Sequence, residues 1–192
     1  MKKIEAIQIA DEIISLYKMY GNQDYIGEPV SQIEHMCQCA QFAEKENYDE
    51  EVILAAFFHD IGHLCEHVME VDYMEDYGVV DHEKIGSNYL KSKGFSKKIT
   101  QLVASHVEAK RYLTFKDPIY YKRLSDASKA TLNFQGGPMD ESEAKDFEKD
   151  EWFQLYITLR AWDEKAKEEH IPLPDLERYK FIIIEHLLQN KK

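Results

Sequence analysis

The feature that most constrains the fold is a set of histidine and aspartate residues spread over successive predicted helices. His59 and Asp60 are adjacent and follow an uninterrupted apolar run over residues 52–58. A histidine and a carboxylate at the exit of a buried helix are unfavourable unless something binds them. Further residues of these types each fall on a predicted helix of their own: His35, His82, His106 and Asp163. The helices that carry them must converge if the side chains are to share a partner.

These residue types are typical ligands of divalent metal ions. Neutral imidazole and carboxylate oxygen suit iron, manganese, zinc or magnesium. A buried, hydrogen-bonded histidine beside a helix-capping aspartate would explain His59 and Asp60 alone, but not the other four residues. We therefore predict a metal centre with these ligands: His35, His59, Asp60, His82, His106 and Asp163.

The apolar pattern predicts helices almost throughout. Apolar residues recur at close to 3.6-residue spacing between residues 4 and 20. Capping residues and helix breakers predict the remaining helices: from near 32, from 49 or 50 to 60 with Gly62 ending it, 82–93 with Asp81 as its cap, 97 to about 111, 118 to about 131, from 140 or 142, from 150 or 151, and 175–188. No segment shows convincing strand alternation. The pattern predicts an all-α bundle with its site between facing helices, in a single domain over residues 1–192.

Composition excludes several classes of partner. The net charge of −12 repels nucleic-acid phosphate and anionic membranes. No apolar stretch of about 20 residues could span a bilayer, and the N-terminus lacks a signal core, so we expect a cytoplasmic protein. Cys37, Cys39 and Cys65 are too few for a disulfide framework and are interpreted as packing thiols.

Two cationic residues lie one helical turn from predicted ligands. Lys110 is four residues after His106, and Arg160 is three before Asp163, so each pair shares a helix face. Each cation alone is better explained by a surface salt bridge. Together, beside ligands on two helices, they favour binding of an anion that also touches the metal. Two loops, residues 21–29 and 64–80, are candidates for closing over such a ligand.

Several strings resemble known families. Residues 59–63, His-Asp-Ile-Gly-His, with His35 before and Asp163 after them, resemble the signature of HD-domain metal-dependent phosphohydrolases. His82 and His106 resemble the extra ligands of the HD branch that holds two metals. Other strings are similar to the mixed-valent di-iron oxygenases of phosphonate catabolism: residues 24–28, 32–35, 77–79, 82–84, 109–113, 124–128, 135–140 and 160–165.

The resemblance implies an HD-domain helical bundle with a role for each matching residue. The six predicted ligands would hold two iron ions, Fe(II) and Fe(III), with Asp60 bridging them. The phosphonate would be contacted by His63, Lys110, Ser128 and Arg160. Tyr25 and Glu28 would form a catalytic gate, in which Tyr25 occupies an iron before substrate arrives and Glu28 responds to the substrate amine. Without the resemblance, a packing aromatic and a solvated acid explain Tyr25 and Glu28 equally well.

The implied reaction uses O2 to cleave a C–P bond in a small-molecule substrate. That substrate would be a 1-hydroxy-2-(amino or trimethylammonio)ethylphosphonate, giving phosphate and glycine or glycine betaine. The same ligands would serve a phosphohydrolase, in which metal-bound hydroxide attacks a small phosphate ester. A non-catalytic binder is the third alternative. Tyr25, Glu28 and the extended strings favour the oxygenase, and the choice between the two ammonium groups stays open.

Overall fold

The computed structural model describes residues 1–25 and 27–190; Ile26 of the predicted gate loop, Lys191 and Lys192 lie outside them. The described residues form eleven α-helices and a short 3-10 helix, Cys65–His67, and contain no strand, so the all-α prediction is confirmed. The helices are α1 Lys3–Tyr20, α2 Gln32–Lys45, α3 Glu50–Phe58, α4 Ile61–Leu64, α5 His82–Lys93, α6 Lys97–Lys116, α7 Pro118–Arg123, α8 Asp126–Phe134, α9 Glu141–Phe147, α10 Phe153–Lys165 and α11 Leu176–Gln189.

The segment expected to be one helix from 118 to about 131 is instead two helices, α7 and α8. Leu124 has ψ 143°, outside the helical range, and Ser125 caps α8 by accepting a hydrogen bond from the Ser128 backbone at 3.1 Å. A serine hydroxyl at this position satisfies a free N–H and so competes with continuation of the helix. The break makes residues 126–128 the first turn of a new helix.

Three smaller differences concern helix ends. Helix α6 continues to Lys116, beyond the expected end near Arg111. Gly62, expected to end a helix, lies inside the short helix α4. Asp81 stands at the N-cap of α5, but its backbone is left-handed (φ 53°) and its carboxylate binds Lys84 Nζ at 2.7 Å instead of capping.

Helix α3 lies at the centre of the bundle and contacts α2, α6 and α11. All its residues from 52 to 58 are buried, which explains the apolar run. Tyr17 of α1 stacks on Phe57 with ring centroids 4.3 Å apart and donates its hydroxyl to the Phe57 carbonyl. These contacts fix the end of α3, from which His59 and Asp60 follow directly.

The close approach of α4 to α5 depends on glycine. A Cβ atom on Gly62 would lie 1.9 Å from the His82 carbonyl oxygen, and one on Gly86 would lie 3.0 Å from the Gly62 nitrogen. The backbones of α4 and α5 therefore lie so close together that position 62 has no room for a side chain. This contact holds the start of α5 against the segment that carries Asp60.

We propose that residues 1–192 form a single domain. Helices α1 and α11 pack on each other, α11 packs on α3, and α10 packs on both α2 and α6. One hydrophobic cluster includes buried residues from the first and last helices, such as Ala6 and Leu187. Among the described residues, none of the helices is long and apolar enough to cross a membrane.

We predict that Gly62→Ala destabilises the protein by about 1–3 kcal/mol, because the new methyl group must displace the backbone of α5. The midpoint of thermal unfolding should fall by roughly 3–10 °C. Lys91→Ala, an exposed change on the same helix, is the matched control and should leave the midpoint unchanged. An unchanged midpoint for Gly62→Ala would show that the contact is not tight.

Candidate metal centre

Five parts of the fold bring the six predicted metal ligands together. Helix α2 supplies His35, the α3–α4 junction supplies His59 and Asp60, and α10 supplies Asp163. His82 is the first residue of α5, and His106 lies in α6. All six side chains are buried, and none is more than 5% exposed.

Each of the four histidine rings is tied to a backbone carbonyl through Nδ1. The Nδ1–O distances are 2.9 Å for His35 with Ala166, 2.9 Å for His59 with Ala56, 3.4 Å for His82 with Val79 and 2.8 Å for His106 with Val103. A carbonyl can only accept, so each Nδ1 carries the proton. The four Nε2 atoms are therefore left as lone-pair donors, the arrangement usual for metal-bound histidine.

The Nε2 atoms face one another in two pairs. His35 and His59 are 3.0 Å apart, and His82 and His106 are 3.1 Å apart. Two lone pairs at this separation repel unless a proton or a cation joins them. Two bonds of about 2.1 Å to one metal, at right angles, would put the nitrogens about 3.0 Å apart. The pairs therefore fit a metal ion each.

Asp60 lies between the two pairs and turns one oxygen toward each. Its Oδ2 is 3.5 Å from Nε2 of both His35 and His59. Its Oδ1 is 3.5 Å from Nε2 of His82 and 3.2 Å from that of His106. This geometry suits a carboxylate that bridges two metal ions.

Asp163 completes one half of the centre only. Its Oδ1 is 3.4 Å from His35 Nε2 and 4.0 Å from His59 Nε2. We call these groups, with Asp60 Oδ2, the inner half, and His82, His106 and Asp60 Oδ1 the outer half. The outer half has fewer protein donors, so it leaves more coordination positions for another ligand.

Both carboxylates are held in the ionised form that metal binding needs. Burial opposes ionisation of Asp60, but His59 and the hydrogen bond to His106 outweigh it and hold its pKa well below the usual value. Burial likewise opposes ionisation of Asp163, and Arg160 and His35 outweigh it, so its pKa is also low.

The inner histidine pair titrates asymmetrically. Burial lowers the pKa of His59 to about 4. Burial also disfavours the charged form of His35, but Asp163 and Asp60 raise its pKa to about 9. One proton between these rings is therefore favourable without metal, and a metal ion would replace it.

A pocket of about 70 Å³ opens beside the outer half. Ten of the twelve predicted site residues line it: Tyr25, Glu28, Asp60, His63, His82, His106, Lys110, Ser128, Arg160 and Asp163. His35 and His59 lie behind them and are fully buried. The pocket thus reaches the outer half of the centre and the carboxylate that joins the two halves.

Lys110 is a buried cation on the pocket wall, 3% exposed. Within the described part of the chain, its Nζ has one hydrogen-bond partner, the neutral hydroxyl of Thr131 at 3.0 Å, and no carboxylate within salt-bridge distance. Burial, and then Arg160, lower the pKa of Lys110 to about 7. An anion in the pocket would supply the missing counter-charge.

The Arg160 side chain makes three hydrogen bonds within the protein, which its position in the sequence did not predict. Its Nε donates to the Tyr120 hydroxyl at 2.9 Å, and its two terminal nitrogens bind Asp163 Oδ2 and Glu164 Oε1. The guanidinium therefore fixes the orientation of a predicted ligand. Two of its five N–H groups are left for a molecule in the pocket.

The other predicted substrate contacts lie around the outer half. The His63 ring stacks on that of His82 with centroids 4.1 Å apart, and its Nδ1 accepts from the Val79 backbone at 3.4 Å. Ser128 lies in the first turn of α8, where that turn faces the pocket.

The two predicted gate residues lie over the pocket. The Tyr25 ring stacks on His35 with centroids 4.1 Å apart, and burial, Asp60 and Asp163 raise its pKa. Glu28 Oε1 accepts hydrogen bonds from Ser125 Oγ at 2.6 Å and Lys167 Nζ at 2.7 Å. Gly27, next to Glu28, packs on α8, where a Cβ atom on Gly27 would lie 2.7 Å from the Ala127 Cβ.

Sequence reasoning missed five side-chain partners of site residues: Thr131 of Lys110, Tyr120 and Glu164 of Arg160, and Ser125 and Lys167 of Glu28. Thr131 is three residues after Ser128, so helix periodicity could have placed it on the same face. Tyr120 and Lys167 contact the site from helices or loops distant in sequence, and no spacing signal marks them. The pocket also contains the side-chain oxygens of Gln32 and Gln135, for which the described residues provide no hydrogen bond.

Comparison with known proteins agrees with this geometry. An HD domain family model matches residues 33–145. The chain is 38% identical to a [1-hydroxy-2-(trimethylamino)ethyl]phosphonate dioxygenase (glycine-betaine-forming) from Leisingera caerulea, covering 91% of this chain and 88% of that protein. It is 34% identical to a hydroxymethylphosphonate dioxygenase from Gimesia maris, covering 88% and 85%. It is also 40% identical to the uncharacterized protein L432 of Acanthamoeba polyphaga mimivirus, covering 97% and 85%.

The chain therefore belongs to the HD-domain family and, within it, to the phosphonate dioxygenases. It is an enzyme of the oxidoreductase class, and its reaction involves a metal and O2. The resemblance found in the sequence is confirmed at the level of the family.

We predict that the centre binds two metal ions and that His106→Ala binds one, because the change removes a donor from the outer half only. Anaerobic iron loading followed by elemental analysis measures this directly. His170→Asn, at an exposed position with a left-handed backbone (φ 64°), is the control and should keep both metals. Two metals in His106→Ala, or one in the unmodified protein, would contradict the assignment.

Proposed function

We propose that this protein is a di-iron oxygenase that uses O2 to cleave the C–P bond of a 1-hydroxyalkylphosphonate. One observation carries the proposal: Lys110, a buried lysine with no carboxylate within salt-bridge distance among the described residues, lies in a small pocket beside the more open half of the centre. An anionic group bound there would neutralise Lys110 and reach the metal. The names of the two dioxygenase relatives support a phosphonate as that anion.

Two iron ions, Fe(II) and Fe(III), are the metals proposed for the centre. The inner half, with His35, His59 and Asp163, would hold one, the outer half, with His82 and His106, the other, and Asp60 would bridge them. Iron supplies the one-electron chemistry with O2 that closed-shell zinc or magnesium cannot. The donor set, imidazole and carboxylate, is compatible with iron.

The protein's own contribution to substrate binding is positive charge and hydrogen-bond donors. Lys110 is proposed to pair with the phosphonate, and the Ser128 hydroxyl and free N–H groups of Arg160 to donate to it. His63, stacked on His82, borders the same space. Because these groups lie on different elements, they would fix the orientation of the phosphonate as well as its charge.

Tyr25 and Glu28 are proposed to act as a gate. Tyr25 lies against an inner-half ligand and lines the pocket, so its phenol is well placed to cover the centre in the absence of substrate. Its surroundings disfavour the phenolate unless a metal ion is present, since burial and two carboxylates raise its pKa. A proton would therefore compete with the metal for the phenolate oxygen.

The candidate substrates differ only in the group beyond the hydroxyl-bearing carbon. With an amino or trimethylammonio group on a second carbon, the products are phosphate with glycine or glycine betaine. Without that carbon, hydroxymethylphosphonate and O2 give formate and phosphate. In each case both oxygen atoms of O2 enter the products, the carbon is oxidised to a carboxylate, and no other reductant is needed.

We predict that the iron-loaded protein releases phosphate from at least one of these compounds and consumes one O2 per phosphate. Phosphate, O2 and the organic acid should be measured with each compound, in air and under argon. No phosphate should form under argon. Oxygen-independent release of phosphate from a simple phosphate ester, with none from the phosphonates, would instead identify a phosphohydrolase.

We predict that Lys110→Met raises the KM for the phosphonate by about tenfold to a hundredfold, because a charge-assisted hydrogen bond is lost. Metal content should not change, and the free protein should become more stable, since a poorly compensated buried charge is removed. Lys116→Met, at an exposed position of the same helix, is the control. An unchanged KM would exclude Lys110 as a phosphonate ligand.

We predict that the oxidised, iron-loaded protein shows a visible phenolate-to-ferric charge-transfer band that Tyr25→Phe lacks. The band should fade when phosphonate is added without O2. Tyr77→Phe changes another tyrosine of the same pocket and should keep the band. A band that survives in Tyr25→Phe, with iron content equal to that of the unmodified protein, would exclude the gate.

A further inference from the structure

We propose that Lys167 is a specificity-determining residue: it supplies the cation that faces Glu28 and so adapts the pocket to a 1-hydroxyalkylphosphonate without an ammonium group, of the hydroxymethylphosphonate type. This inference rests on the function proposed above and names the substrate class of that site. Lys167 acts by pairing with the Glu28 carboxylate, without contact with the reacting atoms.

The contact is a short, shielded ion pair. Lys167 Nζ is 2.7 Å from Glu28 Oε1, and the two side chains are 15% and 8% exposed. The same oxygen accepts the Ser125 hydroxyl at 2.6 Å. Glu28 is thus already provided with a cation and a hydrogen-bond donor at the edge of the pocket.

The position of Lys167 is fixed from both sides. The preceding residue, Ala166, accepts the Nδ1 hydrogen bond of His35 through its carbonyl. The following residue, Glu168, is bound twice by Gln38 of α2, at 2.8 Å through its carbonyl and 3.1 Å through its N–H. Lys167 is therefore presented by a segment tied to the helix that carries a predicted metal ligand.

Charge decides which substrate this arrangement favours. The Glu28 side chain is only 8% exposed, so its carboxylate needs a cation nearby. If the protein supplied no cation, the ammonium group of a substrate could take that place. Here Lys167 fills that role, so an entering ammonium would meet a like charge at the same carboxylate.

Two neutral side chains also line the pocket, those of Gln32 and Gln135. An amide can turn either its oxygen or its nitrogen toward a ligand. These amides therefore do not select for charge, whereas the Glu28–Lys167 pair does.

The test compares hydroxymethylphosphonate with 1-hydroxy-2-aminoethylphosphonate on the iron-loaded protein. Steady-state kcat/KM is measured for both, with the anaerobic dissociation constant by calorimetry as a readout independent of turnover. The unmodified protein should prefer hydroxymethylphosphonate in both measurements. Lys167→Met should shift the ratio of kcat/KM values toward the amino compound by at least about tenfold, mainly through tighter binding of that compound.

Two further variants separate charge from structure. Lys167→Arg keeps the cation and should keep the original preference. Lys165→Met removes an exposed charge two residues away and should change neither ratio. If Lys167→Met does not fold, Lys167→Gln removes the charge in its place and should give the same shift.

The outcomes distinguish failure of this inference from failure of the proposed function. Preference of the unmodified protein for the amino compound, or an unchanged ratio in Lys167→Met, would overturn the role of Lys167 while the oxygenase stands. If neither compound releases phosphate in an O2-dependent reaction, the proposed function itself is wrong.

Discussion

The structure depends on one electrostatic arrangement: the Asp60 carboxylate, buried between two pairs of histidine nitrogens. Each ring is tied to a backbone carbonyl on its outer side, so its lone pair points inward. A site with this much buried polarity is unfavourable without a cation, because facing lone pairs repel and a buried carboxylate needs a counter-charge. Metal binding would therefore contribute directly to the folding free energy, and the five elements that meet here would be held together by it.

The two halves of the centre differ in how enclosed they are. The enclosed half is suited to holding a metal ion, and the open half is suited to contact with a bound molecule as well. The inner half is enclosed: His35 and His59 are fully buried, Asp163 is oriented by Arg160, and Tyr25 stacks on His35. The outer half has one protein donor fewer and opens on the pocket. A molecule in that pocket can reach the outer half without displacing a protein ligand, while the shared carboxylate couples the two halves.

Residue spacing indicated that six candidate metal ligands would lie together and missed the contacts that orient them, for a physical reason. Four of the six fall one to a helix, and each helix is recognisable from its own periodicity, so His82 and His106 could be assigned locally. The Ser125 break was missed because a capping serine in a helical pattern reads equally as an ordinary helix residue. The Glu28–Lys167 pair joins residues 139 positions apart, and only the packed fold brings them together.

The acidic surface and the cations at the pocket are compatible because their fields act over different ranges. The chain carries a net charge of −12, yet Lys110 and Arg160 line one small cavity, and Lys167 binds Glu28 on its lining. Exposed charges are screened over about 8 Å at physiological ionic strength, whereas buried ones are screened far less. The outer surface therefore opposes the approach of an anion only weakly, and the cations within the pocket act at close range in a poorly solvated space. The three cations differ in their partners. Arg160 binds Asp163 and Lys167 binds Glu28, whereas Lys110 has only the Thr131 hydroxyl among the described residues and can face a ligand.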